Sequence, residues 1–477
     1  MRTASGPRRV AGTAVVVGAS MAGLCAARVA AERFDRVVVL DRDGLPAGPD
    51  PRGRVPQGRH PHLLLVSGAR ILDRWFPGIV DELLSAGAVD VDLCGDAHWY
   101  QEGGVMSRPR TALRSPSMSR PLLEHVVRRR VTALPRVTLR GGTTVVGLVT
   151  DASRTLVTGV RLDTGAALAA DLVVDATGRQ ARSLGWLDEL GFAPPAVSEV
   201  HVDTRYVSRT YRRGELPARD WKGAGVIDAP ATRRMAMALP IEGDRWVVSF
   251  GGLEGEAPPV EGAARLDYAR SLPSPVIAQI MAASEPLGEP ATHRFPANQR
   301  RHVEKLRRFP LGWVLLGDAV CSFDPIYGQG MTAAALQAEA LGACLDRAGA
   351  VDAAFARRYF RRVGRVVSVP WSTAVGGDFA YPDTRGPKPV GTDLLNRYVA
   401  RAMRAAHRDD AVWLRVNEVM AMVRRPESLV TPGIAVRVLV GGQRRRSGRA
   451  STASHTADVA QRSHRSGSHP RSTVSRT

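Results

Sequence analysis

Residues 13–41, TAVVVGASMAGLCAARVAAERFDRVVVLD, constrain the fold more tightly than any other stretch of the chain. Thr13 to Val17 is a β-branched apolar run of the kind that fills a buried strand. Gly18-Ala19-Ser20-Met21-Ala22-Gly23 is a small-residue turn of the G-x-G-x-x-G kind, with Ser20 in place of the second glycine and Ala22 beside the third. Residues 21–33 have the pattern of an Ala-rich helix, and Val37 to Leu40 that of the next strand. Asp41 closes that strand, 23 positions after Gly18. In such a unit Gly18 permits the tight turn and Gly23 lets helix pack close on strand. The helix N-terminus receives a pyrophosphate, and Asp41 can bond an adenosine ribose. A glycine string alone says little, whereas strand, turn, helix, strand and acid in this order specify a dinucleotide-binding βαβ unit.

A second nucleotide-facing signature stands far downstream. Residues 311–332, LGWVLLGDAVCSFDPIYGQGMT, run from an apolar strand into Gly317-Asp318, through a loop with Pro325, Gly328 and Gly330, and into an Ala-rich helix. An acid at a strand end can hold a ribityl hydroxyl, and amides at the start of the following helix can face an electron-rich ring. No second G-x-G-x-x-G unit is found, so one bound dinucleotide is expected.

Length and composition bound the rest. The chain has 477 residues, 44% of them hydrophobic, enough for two or three domains with cores of their own. No apolar run approaches the roughly 18 residues of a membrane span. The apolar residues 10–17 lead into the nucleotide turn and are read as a strand, not a signal segment; Arg8-Arg9 is read as a basic N-terminus. Cys25, Cys94, Cys321 and Cys344 are scattered without a C-x-x-C, which suggests neither zinc site nor redox dithiol and fits a reducing cytoplasm. The net charge of +20 does not point to nucleic acid. Residues 443–477 hold eight arginines and one aspartate in a Ser/Thr/Gly/His-rich stretch expected to be disordered. Lysine occurs only at Lys222, Lys305 and Lys388, and no basic stripe interleaved with aromatics appears.

Between the two signatures the pattern changes. Residues 46–62 are a Pro/Gly/Arg-rich loop, 63–87 are helical, and Ser119-Arg120 opens a helix over 121–133. Residues 137–149 and 157–163 are expected as a hairpin or meander, and 172–179, LVVDATGR, as a buried strand with a glycine turn. Segments 200–212, 223–229, 232–240 and 244–251 read as successive strands of an antiparallel sheet, a natural pocket wall. Residues 352–366 and 392–423 look helical. The expected organisation is a nucleotide-binding domain in two parts, 11–190 and 291–365, a β-sheet domain at 191–290, a helical region at 366–440 and a basic tail at 441–477.

Gly18–Gly23 with Asp41, the Asp175-Ala176-Thr177-Gly178 turn and Gly317-Asp318…Pro325…Gly328-Gln329-Gly330-Met331 together resemble the FAD-dependent monooxygenases of the para-hydroxybenzoate hydroxylase fold. Within that group, VPQGRHPH (55–62), LPIEGDRWVVSFGG (239–252) and DPIYGQGM (324–331) are most similar to actinobacterial flavin epoxidases of polyether antibiotic pathways; the likeness covers about residues 11–440. The resemblance implies an α/β fold with a Rossmann-type, glutathione-reductase-like FAD-binding domain, an inserted antiparallel sheet for substrate and a C-terminal helical region. It implies that Gly18, Ser20, Ala22 and Gly23 hold the pyrophosphate, that Asp41 takes the adenosine ribose, and that Arg42 lies over the adenine edge. Arg120 would reach the pyrophosphate or ribityl, and Val145 would contact adenine through its backbone. Asp318 would bind the ribityl chain, and Gly328, Gly330 and Met331 would present amides to the pyrimidine end of the flavin. His60, His62 and Tyr327 are further residues near the site, with packing as the alternative reading for each.

The implied chemistry belongs to the cofactor: reduced FAD and O₂ form a C4a-hydroperoxide that oxygenates a largely apolar small molecule, with no protein nucleophile or metal required. Alkene epoxidation in secondary metabolism is the expected reaction, and aromatic hydroxylation the nearest alternative. Hydroxylases that take hydride directly from NADPH carry an Asp-Gly turn where this chain has Thr177-Gly178, so a separate flavin reductase is favoured over direct NAD(P)H use. Flavin halogenases of the same fold need a lysine in the first half of the chain and a W-x-W-x-I-P string, and both are missing before Lys222. A polyprenyl-type reductase and a non-catalytic flavin-binding scaffold remain as alternatives.

Overall fold

The structure is a computed structural model. It describes residues 9–440 apart from Arg54, Pro217, Ala218, Ala229 and Gly349. The tail expected to be disordered, 441–477, lies outside the described residues.

Thr13–Val17 lies in the middle of a five-stranded parallel sheet. The spatial order is Trp313–Leu315, Leu172–Asp175, Thr13–Val17, Arg36–Leu40 and Val137–Arg140. A central parallel strand is covered on both faces, so it must be apolar at every position, not at alternate ones. Ala14 to Val16, Val37 to Leu40 and Leu172 to Val174 meet that demand and are fully buried. Helices Met21–Ala31 and Gly330–Leu345 pack on each other beside this sheet, and both begin at its C-terminal edge. The strand expected within a 137–149 hairpin is therefore placed differently. Val137–Arg140 pairs in parallel with Arg36–Leu40, while Val145–Thr150, Val157–Leu162 and Ala167–Ala169 form a separate three-stranded meander. Four residues are too few to show periodicity, and a sheet-edge partner distant in sequence decides where they pair.

The second large sheet has eight strands. Segment 191–290 supplies Val197–Arg212, Gly223–Ile227, Arg234–Ile241 and Arg245–Gly252, all close to their expected positions. The remaining strands are Ala97–Gln101 and Gly104–Val105 at one edge, and at the other Glu285–Arg301, which straddles the end of that segment, and Cys321–Ser322. Pairing is antiparallel except between Gly223–Ile227 and Ala97–Gln101. The expected division at 290/291 falls inside the strand Glu285–Arg301. Its sequence, EPLGEPATHRFPANQRR, conceals its conformation, because three prolines and a mostly exposed first half give no apolar alternation. Beyond its partner Val197–Arg212 it pairs only with Cys321–Ser322 at its far end, so most of its length is a sheet edge, where proline is tolerated.

Helix Ala353–Asp378 runs well beyond the expected end at 366 and carries Pro370 inside it. The expected 392–423 helix is two, Thr392–Ala406 and Asp410–Met420, divided where the Asp409 side chain caps the second.

The nucleotide turn is held by backbone-to-backbone proximity. A Cβ on Gly23 would stand 1.7 Å from the Gly18 carbonyl oxygen, and one on Gly18 (φ +105°) would stand 2.5 Å from that of Ala176. A Cβ on Gly317 would meet the Ala22 methyl at 2.7 Å, so the first and last glycine turns touch. Gly23→Ala therefore forces helix off strand. It should lower unfolding free energy by about 1–3 kcal/mol in urea titration, as overpacking does.

Candidate functional site

Two helix N-termini open on one space. In helix Met21–Ala31 the first intrahelical bond runs from Leu24 N to Ser20 O, and in Gly330–Leu345 from Ala333 N to Gln329 O. The amides of Met21, Ala22 and Gly23, and of Gly330, Met331 and Thr332, are thus the end donors of their helices. Neither helix has an acid in its first turn, so the positive ends of both dipoles are uncompensated by their own sequence. Between them lies a cavity of about 480 Å³. Its wall continues onto the large antiparallel sheet through Tyr206, Met235, Met237, Ser249 and Gly251.

Around the first helix the charges form a closed cage. The Asp41 carboxylate accepts from Ala19 N at 2.6 Å and Asp43 N at 2.9 Å, which fastens the strand end to the glycine turn. Arg52 stands 2.7 Å from Asp41, 3.1 Å from Asp43 and 2.9 Å from Glu124, with only 5% of its side chain exposed. Arg120 donates to Ser20 Oγ at 2.8 Å and to Glu124 at 3.3 Å, and its Nε is buried without a hydrogen-bond partner. Buried carboxylates are costly unless paired, and three of them account for the inward turn of these two arginines.

The second glycine loop is tied to the sheet. Asp324 is fully buried and accepts from Thr204 Oγ1 at 2.6 Å, from Ile326 N at 3.0 Å and from the Tyr206 hydroxyl. Its own amide donates to Asn298 Oδ1 at 2.7 Å, and Asn298 donates to Asp378 at 2.6 Å. Burial raises both acids above the usual carboxylate range; for Asp378 the neighbouring Asp324 adds to the rise, so it holds a proton more firmly than an ordinary aspartate. Asp318 differs from both. Its side chain is open to the cavity, yet the protein around it shields it from bulk water and raises its pKa, while Arg120, Arg179 and Arg301 pull it back down.

His60 and His62 also line the cavity. Burial, then the nearby His293, lowers His60 to about 4; burial, then Arg120, lowers His62 to about 3. Both rings are neutral near pH 7. His60 Nδ1 meets Ser208 Oγ at 2.7 Å, and Ser208 donates to Ser249 Oγ at 2.7 Å.

Of the sequence-derived residues, Gly18, Ser20, Ala22, Asp41, Arg42, Arg120, Val145, Asp318, Gly328, Gly330 and Met331 all line this one cavity. Gly23 does not. It faces the Gly18 carbonyl, and its part is packing. Tyr327 lies outside the lining and donates to Asp378 at 3.1 Å. Sequence reasoning missed Arg52, Glu124, Asp324 and the Tyr206–His293 side of the wall. Arg52 sits in a loop whose composition signals only irregular backbone, and no local pattern marks its burial among Asp41, Asp43 and Glu124. Asp324 was visible inside its motif, and its burial was not.

The residues fit an FAD. Arg120, which lines the cavity, has a buried Nε lacking a protein partner. A Cβ at Gly330 would enter open space, with nothing within 4 Å. Comparison with known proteins agrees. Residues 14–181 match the family model described as FAD dependent oxidoreductase. Protein Rv3254 of Mycobacterium tuberculosis is 35% identical over 418 residues, covering 82% of this chain and 86% of that protein. Two solved structures share the fold. The flavin-dependent brominase Bmp2 has a TM-score of 0.63 at 14% identity, covering 92% of this chain and 100% of that one. PqsL, a probable FAD-dependent monooxygenase from Pseudomonas aeruginosa, has 0.57 at 19%, covering 78% and 97%. Among the described residues no helix is long and apolar enough to cross a membrane.

Gly330→Val should weaken FAD binding about tenfold or more, the equivalent of one lost charge-assisted contact, in a fluorescence titration. The unfolding curve of the cofactor-free protein should stay within about 0.5 kcal/mol of the parent, since the added Cβ meets no protein atom within 4 Å. The two imidazoles give a pH prediction. Unfolded, they protonate near 6.5; folded, only at about 4 and 3. The unfolded chain therefore binds more protons below 6.5, and stability falls as pH drops from there through 4. A His60→Gln, His62→Gln double variant should show a shallower decline of thermal midpoint over that range.

Proposed function

We propose, for a chain that belongs to the family of the mycobacterial Protein Rv3254 and is an FAD-dependent oxidoreductase, that it is a monooxygenase placing one atom of O₂ into a largely apolar small molecule, with alkene epoxidation as the reaction. The observation that carries this reading is the continuity of the cavity. A single space runs from the two glycine-rich helix starts to an apolar wall of Met235 and Met237 on the sheet with Phe323 and Ile326 of the adjoining loop, so an apolar ligand on that wall would lie beside whatever those helix starts hold.

Bound FAD supplies the electron transfer and oxygen activation. The chain's own residues bind, aim and shield it. Amides at Met21 and Ala22, with Arg120, would take the pyrophosphate, and Asp41 with Arg42 the adenosine. Val145 would meet adenine, Asp318 would accept from the ribityl hydroxyls, and amides at Gly328, Gly330 and Met331 would stabilise negative charge on the ring. Gly23 acts by keeping the first helix close to its strand. Arg52 holds the three acids in register, and Arg120, bonded to Ser20 and Glu124, keeps its Nε without a protein partner. The low-polarity sheet wall excludes water from the reacting face.

The neutral His60 and His293 rings, 5.7 Å apart beside Tyr206, favour aromatic hydroxylation as a second reading, because they can hydrogen-bond a phenol without charging. Likeness to polyether-pathway epoxidases, a cytoplasmic setting, and reduced flavin from a partner reductase in preference to NAD(P)H belong to the same proposal; Thr177-Gly178 supports the last.

The test supplies reduced FAD, O₂ and panels of polyenes and phenols to the purified protein, with mass spectrometry of the products. Gain of one oxygen atom by a polyene is the expected result, and gain by a phenol selects the second reading. Uptake of two hydrogens without O₂ dependence would replace oxygenation with double-bond reduction.

A further inference from the structure

A chain of three hydrogen-bonding side chains, His60, Ser208 and Ser249, crosses the sheet wall of the cavity. Alternation along the strands decides which way the wall residues face. On Arg245–Gly252, Trp246, Val248 and Phe250 enter the core shared with Tyr268 and Ile277, so Ser249 and Gly251 stand on the opposite face, and both line the cavity. On Arg234–Ile241, Ala236 and Ala238 enter that same core, and Met235 and Met237 stand on the cavity face. Ser249 pairs with Ser208 on one neighbouring strand and with Met237 on the other. The wall therefore changes character at Ser249, with hydroxyls and an imidazole to one side and methionines to the other. A Cβ on Gly251 would meet the Met235 methyl at 2.2 Å, so that thioether lies across the glycine, two positions along the strand from Ser249.

The hydrogens on this chain have one arrangement. Ser208, 1% exposed, gives its single hydroxyl hydrogen to Ser249 Oγ at 2.7 Å. Ser208 then accepts from His60, 2.7 Å away, which places the imidazole hydrogen on Nδ1. Burial keeps that ring uncharged near pH 7. Ser249 is 5% exposed and receives the bond from Ser208, yet its own hydrogen goes to no acceptor among the described residues. A buried hydroxyl hydrogen left unpaired is costly, and this one belongs to a residue of the cavity wall, so the acceptor has to come from a ligand. The bond from Ser208 polarises the Ser249 hydroxyl and strengthens it as a donor. The cations that line the cavity, Arg42, Arg52, Arg120 and Arg182, all lie outside the large antiparallel sheet. The strands of the wall thus offer a carboxylate no charged partner, and burying one against them would be unfavourable. We propose that Ser249 is a specificity-determining residue that donates a hydrogen bond to a neutral carbonyl or hydroxyl oxygen of the substrate, whose apolar body lies on Met235 and Met237. Ser208 and His60 are positioning residues that act through it. The inference rests on the reading of this cavity as the seat of an apolar substrate, and adds the polar group which that substrate carries.

The experiment uses three molecules of one shape, acetophenone, α-methylstyrene and benzoate, which present a carbonyl, a methylene and a carboxylate at the same place. Each is titrated into the oxidised, FAD-loaded protein, with binding followed by calorimetry and by the difference absorbance of the flavin. Acetophenone and α-methylstyrene should bind the parent, and benzoate should bind more weakly than acetophenone. Ser249→Ala should weaken acetophenone about tenfold, the equivalent of one hydrogen bond, and leave α-methylstyrene within about twofold, with FAD content and thermal midpoint unchanged. Ser208→Ala removes the support and keeps the donor, and should weaken acetophenone about threefold with α-methylstyrene again unmoved. Equal loss of both ligands in Ser249→Ala, or loss of neither, would overturn the anchor and leave the apolar cavity standing. Loss of FAD from that variant with ligand preference unchanged would assign the hydroxyl to the flavin and overturn the anchor too. Benzoate as the tightest ligand would put a charge where the proposal has a neutral oxygen, and so refute it. Failure of all three molecules to bind the parent would overturn the apolar-substrate reading itself, and the anchor with it.

Discussion

The whole cofactor side of this molecule depends on one contact in which no side chain can take part. The carbonyl of Gly18 sits where a Cβ on Gly23 would have to be, and the carbonyl of Ala176 sits where one on Gly18 would be. Two backbone segments from distant parts of the chain, the Gly18–Gly23 turn and the one at Ala176, therefore converge at the C-terminal edge of the parallel sheet. The helix that starts there is brought within reach of the Gly330–Leu345 helix, through Ala22 against Gly317. Everything else at the site follows from that convergence: two dipole ends facing one space, acids crowded at the strand ends, and arginines drawn inward to balance them.

How much of this was legible in the sequence follows from the range of the interactions. The βαβ unit, the final glycine loop and the four middle strands were visible, since each is encoded by a local pattern: a buried apolar run, a turn of small residues, alternation between Pro/Gly/Asp breaks. Most of the site residues were legible for the same reason: Gly18, Ser20, Ala22, Asp41, Asp318, Gly328, Gly330 and Met331 lie in those short motifs, whereas Arg42, Arg120 and Val145 were expected only from the family resemblance; all eleven line one cavity. What stayed hidden is set by pairing at long range. Val137–Arg140 carries no sign that its partner is Arg36–Leu40, and Glu285–Arg301 looks like a loop because its partner and not its own apolarity makes it a strand. Arg52 was hidden in a segment with no periodicity, and its burial depends on Asp41, Asp43 and Glu124 arriving from three other places. Gly23 shows the converse. The motif was right, yet only the geometry distinguishes a glycine that faces a ligand from one that faces another carbonyl.

The electrostatics divide the cavity into two regimes. The adenosine end is crowded with full charges, Asp41, Arg52, Glu124 and Arg120, each answered by another. The sheet end carries the imidazoles His60 and His62, which burial holds well below their ordinary pKa, and the buried Asp324, which burial raises above its own. A polar, charge-balanced end suits a phosphate-bearing ligand, and an end with neutral imidazoles and methionines suits apolar chemistry from which water is to be kept.

The grip of Asp324 on Thr204 and Tyr206 has a consequence for how such a protein can diversify. Val197–Arg212 is shackled to the loop that precedes the last glycine-rich helix, so changing it disturbs both at once. Arg234–Ile241 contributes Met235 and Met237 to the same cavity without that shackle, and methionine accommodates altered shapes readily. Within one sheet, one strand is fixed by inheritance and its neighbour but one is at liberty to vary, and new substrates would be expected to enter by rewriting the latter.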